Sequence, residues 1–453
     1  MAIFNSAGSG NANADATWTE SGQPAAGDHA IIASGHTVTL TADEAWGSCR
    51  VNGTLAGNYT VTLNDGGNSA ILHNDGTIND TPNFTITGGT NREIKNDGSS
   101  TLGTVTINSS GQTFTLAGPN THTWEALTIT AGTLTTLDGS TNRNLTVTGD
   151  VSVTGTLTGN ASAISMGSLL LNSGGTYSAT SGTTTITSEA GTGYAIKIQG
   201  SSTFTHNNGT VTVTTPAATL IKITENNIYN YIMNASGQSH EWVDNTIIAN
   251  DLTITAGTFQ PYNDSYTIDV NGDVLISSGG TLGKTAAVQA FEFGSLTIAS
   301  GGTYIATSGT TTITGENSGG FAIQNSGTFT HNKGLVDIDF TSPTTTMASN
   351  GPYWDFTQSD AATDFYTEAV FEVMNNLYFV GDFDFQNNSH HLIVHGNMTI
   401  GNGTTTTRYM PYGTYTCNLT VHGILEVTNG ATLTNFTHGT INVGGVRNTG
   451  GTM

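Results

Sequence analysis

LTITAGTL, residues 127–134, returns as LTITAGTF at 252–259 and, eroded, as LYFVGDFD at 377–384. The steps are 252 − 127 = 125 and 377 − 252 = 125 residues. Later landmarks keep nearly the same step. GSLLLNSGGTYSATSGTTTIT at Gly167 reappears as GSLTIASGGTYIATSGTTTIT at Gly294, an offset of 127, and FTHNNGTVTV at Phe204 as FTHNKGLVDI at Phe329, an offset of 125. Long near-copies of polar, β-branched sequence fold as near-copies, each packed on the next. Within them Val, Ile and Leu alternate with Thr, and that period of two is the mark of a β-strand, whose side chains point to opposite faces in turn. The spacing predicts an all-β chain: an elongated right-handed parallel β-helix or related β-solenoid with ~125-residue internal repeats.

Composition agrees. Of 453 residues only 9% are charged, Gly numbers 58 and Pro 8. Asn, Asp and Gly cluster between the short apolar runs, as in NDGG (64–67), NDG (74–76 and 96–98) and SSG (109–111). These residue types supply the tight corners that a coil needs. No helix of useful length is expected. The organisation read from the sequence is an N-terminal cap over 1–50, a first solenoid segment over 51–126, one copy over 127–251, a second over 252–376, and a truncated third from 377 to 453.

Charge narrows the function. Lys and Arg total 10 against 33 acidic residues, a formal net charge of −23. A nucleic-acid binder needs clustered cations, and here the ten are scattered, so neither nucleic acid nor an anionic membrane surface is an expected partner. Cys49 and Cys417 are far apart in sequence, and no disulfide is expected between them. The first residues lack a basic segment followed by an apolar one, and no run approaches the ~18 apolar residues of a membrane helix. If the chain is complete, it is made and released in the cytosol.

Candidate chemistry is sparse. His206 and His331 occupy equivalent repeat positions too distant to share an ion, and His390, His391 and His395 do not converge on a strand as they would on a helix. The DGG and NDG corners could hold calcium weakly through carboxylate and carbonyl oxygens. No metal site and no cofactor is expected. The tails of the two copies, 216–251 and 343–376, lose the clean alternation and gather aromatic residues. Variable aromatic segments on a repetitive scaffold suit glycan or partner contact, which nominates Tyr229, Tyr231, Trp242, Tyr353, Trp354, Phe356, Phe365 and Tyr366. The region 337–384 is also rich in acid: Asp337, Asp339, Asp355, Asp360, Asp364, Glu368, Glu372, Asp382 and Asp384. A glycosidase needs two carboxylates ~5–9 Å apart, and Asp382 with Asp384 would share one strand face.

The N-terminal pattern Trp18…Gly22-x-Pro24-x-x-Gly27-Asp28-x-x-Ile31-Ile32-x-x-Gly35-His36-Thr37-Val38-Thr39-Leu40 resembles the opening turns of right-handed parallel β-helix proteins from phages and bacterial surfaces. The resemblance is one of architecture. It implies a non-enzymatic virion protein of the tail-fibre, spike or head-decoration kind, made in the host cytoplasm. By analogy such a protein is a homo-oligomer, commonly a trimer, that meets other virion proteins and host surface polysaccharide. Two alternatives stand beside it: a tailspike-like polysaccharide depolymerase using carboxylates of 337–384, and an extracellular bacterial surface adhesin.

Overall fold

The computed structural model describes the chain except residues 65, 66, 68, 225, 226, 341–344, 349–351, 360–364, 368, 369, 381, 382, 385–389, 402–407, 411–416 and 434–438. At 99, 345–348, 365–367, 383, 384, 390, 408–410 and 417 only the backbone is described. The fold is an all-β parallel solenoid of about 18 turns, each of roughly 22 residues. Among the described residues its ladders run parallel, apart from a two-residue hairpin joining Leu137–Asp138 to Thr141–Asn142. The chain divides into two compact units, Met1–Tyr229 and Asn230–Met453. That division falls inside the first 125-residue copy.

In the first unit a turn carries three strands. Leu145–Val153 supplies two of them on either side of a corner at Gly149, and Thr156–Thr158 supplies the third. Each pairs with the same piece of the next turn, so like residues stack. One inner column runs Val105, Leu127, Val151, Leu169, Ile196, Ile221. Another runs Trp124, Val147, Met166, Ile186, Val213. The third runs Phe114, Leu134, Leu157, Tyr177, Phe204. All of these side chains are buried. Each leaves water against neighbours one rung, ~4.8 Å, above and below, so every turn is stabilised by the next and none could close a core alone.

The residues flanking the third column point outward. They form two parallel files: Thr113, Thr133, Thr156, Thr176, Thr203 and Thr115, Thr135, Thr158, Ser178, Thr205. The grid is one of hydroxyls and methyls over five consecutive turns. At the N-terminal end Trp18 is buried; its Nε1 donates to the Ala12 carbonyl at 2.8 Å, and its ring meets Phe4 and Trp46 edge-on.

The second unit repeats this scheme with larger residues. A chain of ring contacts runs from Tyr231 through Phe259, Trp242, Phe291, Phe293 and Tyr304 to Phe329, Tyr353 and Phe371, with centroids 4.7 to 6.3 Å apart. Such offset and edge-on pairs add modestly to the area each ring buries.

The tail of the first copy departs from expectation. It reads in sequence as a variable segment without the clean alternation, yet Thr219–Ile223 and Asn230–Trp242 are strands. In the latter, Tyr231, Met233, Ala235, His240 and Trp242 face inward. The alternation is present but disguised, because inward positions hold Tyr, His and Trp beside Met and Ala, and one outward position holds Ile232.

Candidate functional site

Burial overturns four of the eight nominated contact residues. Tyr231, Trp242, Tyr353 and Phe356 are each at most 1% exposed, so none offers a surface to a partner. They fill the interior of the coil instead. Burial pushes the Tyr231 hydroxyl up from its ordinary pKa, holding it neutral. Phe365 and Tyr366 lie in the strand Phe365–Thr367, and their side chains fall outside the described residues.

Tyr229 and Trp354 do reach the surface, and the geometry gives each a partner the sequence reading did not assign. His206 stacks on Tyr229 with ring centroids 5.1 Å apart and planes 22° apart. His331 meets Trp354 at 5.4 Å and 34°, and Lys333 Nζ lies 5.6 Å from the same indole. Both histidines are held by one corner geometry. His206 Nδ1 accepts the Asn208 N–H and His331 Nδ1 the Lys333 N–H, each at 3.0 Å. The following glycine N–H, from Gly209 or Gly334, returns to the histidine carbonyl at 2.9 Å. Asn207, Asn208, Asn332 and Lys333 all take positive φ, between 45° and 59°. Burial, then Lys333, lowers the pKa of His331. The signal was in the spacing: 229 − 206 and 354 − 331 are both 23, about one turn.

Of the acidic region, Asp337, Asp355 and Glu372 have structural partners. Asp337 accepts the Ser359 hydroxyl at 2.8 Å. Asp355 accepts Asn375 Nδ2 and the Asn376 N–H, both at 2.8 Å. Glu372 lies 2.8 Å from His395 Nε2. Asp360, Asp364, Glu368 and Asp382 lie outside the described residues, as does the side chain of Asp384. Of the carboxylates that do align, Asp337 was nominated, whereas Asp269 and Glu292 were not. Strand register places Asp269 directly beside Glu292, and Thr312 between Glu292 and Asp337. Burial raises the pKa of Asp269, Glu292 and Asp337; for Glu292, Asp269 and Asp339 add to the rise.

The NDG corners at 74–76 and 96–98 stack, with the Gly98 N–H on the Asn74 carbonyl at 2.8 Å. His73 Nε2 sits 2.9 Å from Asp75 and 3.0 Å from Asp97, and one ligand atom from each of the three lies within 4.8 Å of the others. That set could grip a divalent cation. Arg50 and Lys95 already answer the two carboxylates at 2.7 Å each, so the charges are balanced without one. As partly exposed pairs they contribute little to stability. His391 turns to Thr420, at 3.0 Å, and His395 stacks on His422 at 5.1 Å; the side chain of His390 lies outside the described residues.

Among the described residues two open grooves stand out. One in the first unit, about 550 Å³, is bordered by Asn79, Asp80, Thr101 and Asn120. One in the second, about 470 Å³, is bordered by Asp251, Asp273, Leu275, Asn317, Phe321 and Gln324. Among the described residues no helix is long and apolar enough to cross a membrane. Compared with protein-family models, with curated proteins and with solved structures, the chain gives no match.

Proposed function

We propose that this chain is a non-enzymatic structural protein of a virus particle, of the tail-fibre, spike or head-decoration kind, acting as a homo-oligomer alongside other virion proteins. One observation carries the reading. Two copies of the solenoid keep the same scaffold and the same exposed corner, His206 on Tyr229 and His331 on Trp354. A repeated contact point on a repeated frame suits a protein whose work is to present surfaces at fixed spacing. Host polysaccharide fits these corners, since a sugar ring packs its C–H face on an aromatic one.

The test is mass spectrometry of purified virus particles from the source culture. Stoichiometric copies in the particle support the reading, and copy number separates head decoration from tail fibre. Presence only in cell envelopes or culture fluid overturns it in favour of a surface adhesin.

The stack of Asp269, Glu292 and Asp337 favours a second reading, a polysaccharide depolymerase, because acids with raised pKa gather where proton transfer is done. Glu292→Gln would then abolish release of reducing ends from host polysaccharide. Unchanged release, or none from the unaltered protein, removes that reading.

A further inference from the structure

We propose that the groove bordered by Asp251, Asp273, Leu275, Asn317, Phe321 and Gln324 is a binding site for a non-acidic oligosaccharide. The inference does not rest on the virion assignment, and the site is separate from the His–aromatic corners. At about 470 Å³ the groove is within the range of small-ligand sites and is open along its length, as a chain-like ligand requires. It joins an apolar floor to fixed polar groups. Leu275 is 38% exposed, and the Phe321 ring is half-buried beside it.

The carboxylates are aimed. Asp251 Oδ1 accepts the Asp273 N–H at 2.9 Å, and Asp273 Oδ1 accepts the Ser295 hydroxyl at 2.7 Å. One oxygen of each is thereby fixed, and the other is left to accept a sugar hydroxyl. Asn317 Oδ1 accepts the N–H groups of Gly319 and Phe321 at 2.9 and 3.1 Å, holding the loop that carries the ring. Its Nδ2 faces Gln324 Oε1 at 3.5 Å, which leaves the Gln324 amide N–H₂ to donate. Among the described residues no Lys or Arg borders the groove. Two carboxylates without a cation repel uronic or sialic acids, so the ligand class is neutral or amino-bearing sugar.

The first copy supplies the control. Registers Leu127↔Val151 and Leu252↔Val274 match Ala126 to Asp251 and Ser152 to Leu275. Registers Leu169↔Ile196 and Leu296↔Ile323 match Lys197 to Gln324. Tyr194 stands where Phe321 does, and Lys197 Nζ lies 5.0 Å from its ring centroid; in the second copy Gln324 takes the place of that lysine. The buried framework under both positions is alike, so packing does not demand the changes. They convert a self-covered patch into a cleft.

Isothermal titration of the full chain with hexamers of glucose, mannose, galactose, N-acetylglucosamine and glucosamine, and with hexagalacturonate, tests this. Binding of at least one non-acidic hexamer is expected, with hexagalacturonate silent. Phe321→Ala and Asp251→Asn should each weaken that binding roughly tenfold, while Tyr262→Ala, at an exposed position outside the groove, leaves it unchanged. Should Phe321→Ala fail to fold, Asp251→Asn and Gln324→Ala, both at the surface, decide the matter. Silence from every non-acidic hexamer, equal binding of hexagalacturonate, or unchanged affinity in the groove variants overturns the proposal.

Discussion

The copies beginning at Leu127 and Leu252 agree in their inner tyrosines and in one outer hydrogen bond, and differ in what fills the core and what charges the face. Tyr177 bonds Thr184 at 3.1 Å as Tyr304 bonds Thr311 at 2.8 Å, and Ser168 donates to Asp150 as Ser295 does to Asp273, both at 2.7 Å. Inside, Ile164 and Met166 of one become Phe291 and Phe293 of the other. Outside, the hydroxyl file Thr146, Ser165, Thr185, Thr212 becomes Asp269, Glu292, Thr312, Asp337. A solenoid tolerates both kinds of change because each turn answers only to its two neighbours. Volume can shift if adjacent turns shift with it, and outward residues are constrained mainly by the next rung.

The largest way to break this comparison is to cut its core. Phe291→Ala should cost about 3–5 kcal/mol, and more than Ile164→Ala, because Phe291 is in contact with both Trp242 and Phe293. Urea unfolding of the two variants measures it. Equal costs would mean that the aromatic chain adds nothing beyond volume.

Acid should act in opposite directions on the two units. Burial lowers the His122 pKa to about 4 in the first unit. A histidine with depressed pKa gives stability that is full above ~6.5 and lost as pH falls toward 4, a loss of about 3 kcal/mol. Near Glu292 the sign reverses. Acids with raised pKa are least destabilising when protonated, so that region gains as pH falls through the raised values and loses as pH climbs through them. Native-state hydrogen exchange at pH 7 and pH 5, corrected for intrinsic rates, should show weaker protection in His122–Thr135 and stronger in Phe291–Ile298. Glu292→Gln should reduce the second change. Parallel movement of both strands would refute the assignment.

The smallest effect sharpens the likeness. Tyr177→Phe and Tyr304→Phe each strip a buried threonine hydroxyl of its partner and should cost about 1–2 kcal/mol, the same in both copies. Thermal unfolding that separates the two by more than that amount would show the copies are held differently at a shared point.

Much of this was legible in the chain before its fold. The 125-residue step, the all-β class and the polar corners follow from residues that repeat or alternate. What stayed hidden was register. Tyr229 and His206 touch because they sit one turn apart at adjoining positions, and nothing local in the sequence says which residue of the next turn lies alongside. The same gap hid Asp269 beside Glu292 and His73 between Asp75 and Asp97. Tyr231, Trp242, Tyr353 and Phe356 were misplaced for a different reason. Aromatic residues among Asn and Ser read as an exposed loop, when the period of two had in fact continued with the large rings turned inward.

The double file from Thr113 to Thr205 sets one strip of the surface apart. On a molecule of net charge −23, contacts made through charged groups strengthen or fade with ionic strength, since dissolved ions shorten the range over which fixed charge is felt. The ten side chains of this strip carry no charge. Whatever lies along it is held by hydroxyls and methyls alone, at a strength that changing salt does little to alter.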